Sequence, residues 1–352
     1  MADFTINTLD DLFTAFDTIR NESYTDEITN INIQKDIDFN DYSKYWYNQS
    51  TIFQIDFAKV VPQTININGN GHSIKNIYLV NGRIFYINFY NIATDQFQTL
   101  NFYDIDFDFV LNRNPVETVN SLAFSYINPA SVNGSCSMGS RVFYYNCTFR
   151  AKLFLGNFDS STAINVRYLF DGNVISTIYQ KFISCIFNIE YYRTFFTSSN
   201  NYWNFSFSSK RDNNFIIINS QFYIKLYLTD GVTSGNPELY FLSNKIHNTF
   251  VVFDVRACNS NLSFYITNAT LSNTYFVIKK TNKTLKNKAS FLINPTSSSS
   301  TNNFVVIDSS AIDEEQISVT NNSSSKVKVV DYQNAKDADY LIENVGFTIK
   351  GE

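Results

Sequence analysis

Histidine, tryptophan and methionine occur only twice each in 352 residues, cysteine four times, proline five and glycine eleven. The two histidines, His72 and His247, lie so far apart that a histidine-centred triad or zinc site would need a coincidence of folding. The cysteines at 136, 147, 185 and 258 form no CxxC or zinc spacing and are too few to staple so long a chain with disulfides. No run matches GxxxxGK[ST], so nothing cradles a nucleotide phosphate. No cofactor or metal is expected. Only 17% of residues are charged, the net charge is -5, and lysine and arginine never cluster, which excludes nucleic acid as a partner. No apolar stretch approaches the ~18 residues of a membrane span. The opening MADFTINTLDDLF lacks the basic start and apolar core of a secretion signal, so synthesis without export is predicted.

What remains is abundant in β-formers. The chain has 34 Phe and 23 Tyr and is 44% hydrophobic, enough apolar surface for a large core built from strands. The wealth of Phe, Tyr, Ile and Asn reads as a coding bias. In such a chain the sequons at Asn21, Asn48, Asn146, Asn204, Asn268, Asn282 and Asn322 arise by chance.

The order of the chain is more specific. Thr8 with Asp11 forms a capping box in its Asp form, and Leu9, Leu12, Phe13, Phe16 and Ile19 recur at three- and four-residue steps. This predicts an amphipathic helix over residues 8–20, placed to close the open end of a β-structure. Beyond it, ITNINIQKDIDF, TIFQIDFAKVV and TININGNGHSIKNIYLV alternate apolar and polar residues and break at turn signals. A motif of Asn, Asp or Ser followed three residues later by an aromatic recurs as NCTF at 146, SCIF at 184, NSQF at 219 and NTYF at 273. The 54 residues from Phe222 to Phe276 fit two shorter turns. Cys147 and Cys185 occupy one place in this motif and are expected inside, as stacked small hydrophobes. Between the strands lie polar loops at 128–140, 197–214 and 229–238, the natural carriers of recognition. The expected architecture is all-β, a right-handed parallel β-helix over 28–325, with a capping segment at 1–27 and a small capping or oligomerisation segment at 326–352.

The run INGNGHSIKNIYLV, followed by QTLNFYDIDF, resembles the opening turns of the parallel β-helix proteins of the pectin-lyase-like superfamily. The resemblance covers roughly residues 28–320 and specifies a shape more than an activity. The ending DADYLIENVGFTI is similar to the close of fibre and spike proteins of tailed bacteriophages, crAss-like phages among them. That likeness implies a homotrimeric appendage that assembles with other virion proteins and touches the host surface.

For chemistry, the best candidates are Asp104, Asp106 and Asp108 in YDIDFDF, which on one continuous strand would project from one face at ~6.6 Å intervals. Such a row suits Ca²⁺, or an acid and base on a glycosidic bond, which need a separation of about 5 to 9.5 Å; a solvent-facing row that is simply polar explains it as well. Lyases of the superfamily it resembles add an Arg or Lys base, but the arginines here are scattered, and Asp254 with Arg256 fits an ordinary ion pair. Tyr45, Trp46 and Tyr47, and Tyr202 with Trp203, sit in polar loops where rings serve either glycan stacking or subunit contact. The favoured function is a non-enzymatic virion protein that contacts host polysaccharide. The alternatives are a tailspike-like depolymerase and a bacterial surface adhesin.

Overall fold

The computed structural model describes residues 1–21, 24–42, 51–57, 63–80, 82–90, 97–113, 123–130, 140–155, 168–172, 179–194, 204–208, 215–229, 238–240, 245–257, 262–267, 270–280, 289–294, 301–307, 317–321 and 327–331. They form an all-β parallel β-helix with one α-helix near the N-terminus. Each turn contributes a first-wall strand, a corner and a second-wall strand, then crosses to a third wall. In the middle turns these are Thr99–Tyr103, Asp106–Arg113 and Ala123–Ala130, followed by Arg141–Tyr145, Thr148–Leu155 and Tyr168–Gly172. The first and second walls form one sheet of 17 strands and the third wall a sheet of 9, and the strands pair in parallel with the turns above and below. In Lys245–Ala257 and Thr270–Lys280 a single strand spans the first two walls.

Alternation in the sequence becomes stacking in space. Phe107, Phe149, Phe187 and Phe222 are register partners in successive turns, with ring centroids 5.4, 4.7 and 4.3 Å apart. Phe102, Tyr144 and Phe182 stack beside them at 4.8 and 4.6 Å. From the third wall Phe124 meets Phe107 edge-on at 4.9 Å, which closes the interior. Each such ring removed from water contributes about 1.5–3 kcal/mol. Tyr144 is fully enclosed; burial pushes its hydroxyl far above the usual range, and it points at the Ser125 hydroxyl 3.5 Å away.

The recurring motif is the corner. Asp104, Asn146, Ser184, Asn219 and Asn248 all adopt left-handed backbone angles, with φ of 52, 52, 56, 51 and 46°. This bends the chain from the first wall to the second, at little cost for Asn or Asp and about 1–2 kcal/mol for other side chains. The next residue points inward, giving a buried column of Ile105, Cys147, Cys185, Ser220 and Thr249. The thiols and hydroxyls of this column donate to the carbonyl two residues back, as in Ser220 to Ile218 at 2.8 Å and Thr249 to His247 at 2.9 Å. Backbone bonds between turns flank the bend, where Asn146 donates to Ile183 and Ile186 to Cys147, both at 2.9 Å, and within it the Cys185 amide donates to the Ser220 hydroxyl at 3.1 Å. Cys147 and Cys185 are buried free thiols, as their place in the motif predicted.

The first complete corner is longer. Asn70 is left-handed at φ 53° and Gly71 at 80°, and a Cβ on Gly69 would stand 2.3 Å from the carbonyl oxygen of Asp104. Glycine is required there by the close approach of the next turn.

At the N-terminal end the helix runs Leu9–Arg20, capped as expected: the Thr8 hydroxyl accepts from the Asp11 amide at 3.2 Å, and the Asp11 carboxylate accepts from the Thr8 amide at 2.9 Å. Its buried face packs on the third wall, with Phe16 5.0 Å and Phe13 5.4 Å from Phe53. A strand the sequence reading did not anticipate, Ala2–Ile6, precedes the helix and pairs with Ile28–Ile33, so the sheet begins ahead of residue 28. At the other end Val327–Asp331 lies on Thr301–Ile307, and the winding continues past 325. The remainder of the C-terminal segment is outside the described residues.

The corner geometry makes two substitutions informative. Asn146→Val should cost about 1–2 kcal/mol, and Gly69→Ala about 1–3 kcal/mol through overpacking. Asn146→Gly should remain close to wild type in the same thermal unfolding measurement.

Candidate binding face

The three aspartates do not share one strand. Asp104 is the left-handed corner residue, and the strand starts at Asp106. Only Asp106 and Asp108 therefore project from the second wall at strand spacing, because a left-handed residue rotates the chain direction between the walls. Asp106 is bound to Arg150 of the next turn at 2.9 Å, with side chains 36% and 50% exposed. Asp108 and Arg150 are register partners. Among the described residues no group of three His, Cys, Asp or Glu side chains is placed to hold a metal ion. His72 lies 3.6 Å from Asp36, and His247 contacts the Ser272 hydroxyl, at separate corners. Tyr45, Trp46, Tyr47, Tyr202 and Trp203 lie outside the described residues.

A different constellation occupies the second wall. Three and five residues after the stacked Phe149, Phe187 and Phe222 come Lys152 and Phe154, Glu190 and Tyr192, and Lys225 and Tyr227. Register places these in two adjacent outward columns. In one, Glu190 sits between Lys225 at 3.3 Å and Lys152 at 3.9 Å. In the other, Phe154, Tyr192 and Tyr227 stack at 4.7 and 4.5 Å, nearly parallel. The Tyr192 hydroxyl ties the columns together by donating to Glu190 at 2.8 Å.

The electrostatics follow from these contacts. Burial pushes the Glu190 carboxyl upward, but the hydrogen bonds from Tyr192 and Lys225 and the two lysine charges outweigh it and hold the group below the usual glutamate range. Burial, and then the bond to Glu190, push Tyr192 up to about 12. Asparagines make a second ladder near the N-terminal end: Asn101 donates to Asn66, Asn66 to Asn30, and Asn30 to Asp3, each amide bridging one turn at 2.7–2.9 Å.

Neither outward column was singled out from the sequence. The signal was there in AKLFL, IEYYR and IKLYL, which repeat one pattern at a fixed distance from the motif phenylalanine, but it emerges only after the turns are aligned.

Residues 14–154 match a family model described as a "putative pectate lyase-like adhesive domain". The match runs from within the N-terminal helix to the strand Thr148–Leu155, and so includes Asp104, Asp106, Asp108 and Arg150. No curated protein matches the chain, and no solved structure does. The adhesive description and the parallel sheets agree with the β-helix reading.

The Glu190–Tyr192 pair titrates in a calculable direction. A phenol whose folded value is raised stabilises the fold fully below its ordinary value of 10.0, and that contribution is lost as pH rises through about 12. Glu190→Gln should lower the Tyr192 value while leaving it above 10.0, because burial remains. Ultraviolet difference titration against Tyr192→Phe checks this; an unchanged Tyr192 value in the Gln variant would contradict the assignment.

Proposed function

We propose that this chain is a non-catalytic attachment protein, a parallel β-helix that displays side-chain ladders and loops to a carbohydrate-bearing surface. The observation that carries the reading is the state of the best catalytic candidate. A hydrolytic pair needs two free carboxyl groups converging on one bond, whereas Asp104 sits at a corner, and of the two carboxylates left on the second wall Asp106 is paired with Arg150, the register partner of Asp108. The adhesive description of the matched family supports the same role.

In its finer form, the proposal makes the chain a structural component of a tailed-bacteriophage virion, a fibre, spike or head or tail appendage. It assembles as a homotrimer with other virion proteins and contacts host surface polysaccharide. The support is the C-terminal likeness in DADYLIENVGFTI together with the stacked architecture. A second home is favoured by one observation: the matched family is described as adhesive, which suits a bacterial surface adhesin.

Three measurements separate these readings. Purified protein incubated with host capsular polysaccharide should bind it and release no reducing ends; release abolished by Asp106→Asn would replace attachment with depolymerisation. Antibody labelling should decorate purified phage particles, and labelling of uninfected cells instead would transfer the protein to the adhesin reading. Mass in solution should be three times the 40.5 kDa chain, and a monomer would remove the trimer.

A further inference from the structure

On the outer face of the first wall, two exposed rings flank one cation. Phe97 and Tyr179 keep 37% and 40% of their surface in solvent. The Arg141 guanidinium lies over the Phe97 ring, 4.4 Å from its centroid. Arg141 and Tyr179 are register partners, so the second ring stands one turn further along, at the strand spacing of about 4.8 Å. Lys181 follows Tyr179 by two residues on the same outward row, ~6.6 Å along the strand. Stacking engages the flat face of a guanidinium and leaves its N–H donors pointing outward in the plane, where two of them fit one oxyanion.

The charge around this cluster is of one sign. From Thr99 to His247 the outward positions of the first wall carry Arg141, Lys181 and Lys245 and no aspartate or glutamate. The nearest acid on that stretch of chain, Asp104, sits on the corner, at the opposite edge of the wall from Arg141. On the second wall Glu190 is set between two lysines, whereas this part of the first wall is basic in a chain whose net charge is -5. An open tyrosine ring beside a guanidinium and an ammonium group matches an acidic sugar. The apolar C–H face of a pyranose lies on the ring, and a carboxylate or phosphate accepts charge-assisted hydrogen bonds from the two cations. A neutral sugar would use the ring and leave the cations without an anion.

We propose that Tyr179, Arg141 and Lys181 form a subsite on the first wall for one acidic pyranose unit of a surface polysaccharide, bearing a carboxylate or a phosphate. The inference rests on the attachment reading given above and adds to it a place on the described walls and the charge class of the glycan.

The test uses the full chain, with affinity read by calorimetry. The probes are a hyaluronan tetrasaccharide for the carboxylate, a trimannoside with a terminal 6-phosphate for the phosphate, maltotetraose as the neutral control, and host capsular polysaccharide. An acidic probe should bind about tenfold or more tighter than maltotetraose, and its affinity should fall as salt is raised. Whichever acidic ligand binds, capsule included, Tyr179→Ala and Arg141→Gln should each weaken it about tenfold, with melting temperatures unchanged because both side chains face outward. Tyr179→Phe should bind as wild type. Wild-type affinity in both Tyr179→Ala and Arg141→Gln, or a preference for maltotetraose over both acidic probes, would overturn the subsite while leaving glycan attachment intact. A wild type that binds neither the probes nor the capsule would overturn attachment and the subsite with it.

Discussion

Every feature of this molecule depends on parallel pairing held in register from one turn to the next. Once the backbone amides of one turn bind the carbonyls of the next, like positions fall above like positions at the strand-to-strand spacing of about 4.8 Å. That is the separation at which flat rings stack and side-chain amides reach one another. The phenylalanine columns inside, the asparagine ladder outside and the Lys–Glu–Lys column on the second wall are three results of one constraint. A slip of one residue would exchange the inner and outer rows.

The corner preserves that register. A bend between two walls would ordinarily interrupt the sheet, but a single left-handed residue followed by an inward one keeps backbone bonds on both sides of it, and the Ser220 hydroxyl takes up the Cys185 amide between them. The column beside the bend changes from Ile105 through Cys147 and Cys185 to Ser220 and Thr249. From the thiols onward its members share small volume and a hydrogen that can be given to the carbonyl two residues back. Seen this way, the cysteines belong to a series with serine and threonine, and their chemistry as thiols is incidental. Burial pushes the Cys147 thiol upward, consistent with an inert group.

Much of this was legible in the sequence because alternation and turn chemistry are local. The helix cap at Thr8, the turn at Gly69–Gly71 and the Asn-x-x-Phe repeats could be read one segment at a time. Asp104 could not, since YDIDFDF alternates without a break and aspartate serves both as a strand residue and as a left-handed corner. Its role becomes plain only beside Asn146 and Asn219, which occupy the same corner in later turns. The strand Ala2–Ile6 was hidden for another reason: five residues ahead of a helix carry too short a pattern to stand out. The outward columns required alignment of turns separated by loops of unequal length, and no local rule supplies that.

Those unequal loops carry a consequence for how such a protein changes over time. Register partners Phe107 and Phe149 are 42 residues apart, whereas Val251 and Phe276 are 25 apart, yet both pairs sit one step apart in the same column. Because each layer touches only the layers beside it, segments can lengthen at the periphery, or an entire layer can be duplicated or deleted, without disturbing the packing elsewhere. Reach along the axis and breadth at the rim thus become separately adjustable. Lineages sharing this scaffold can diverge in outline while their interiors remain interchangeable.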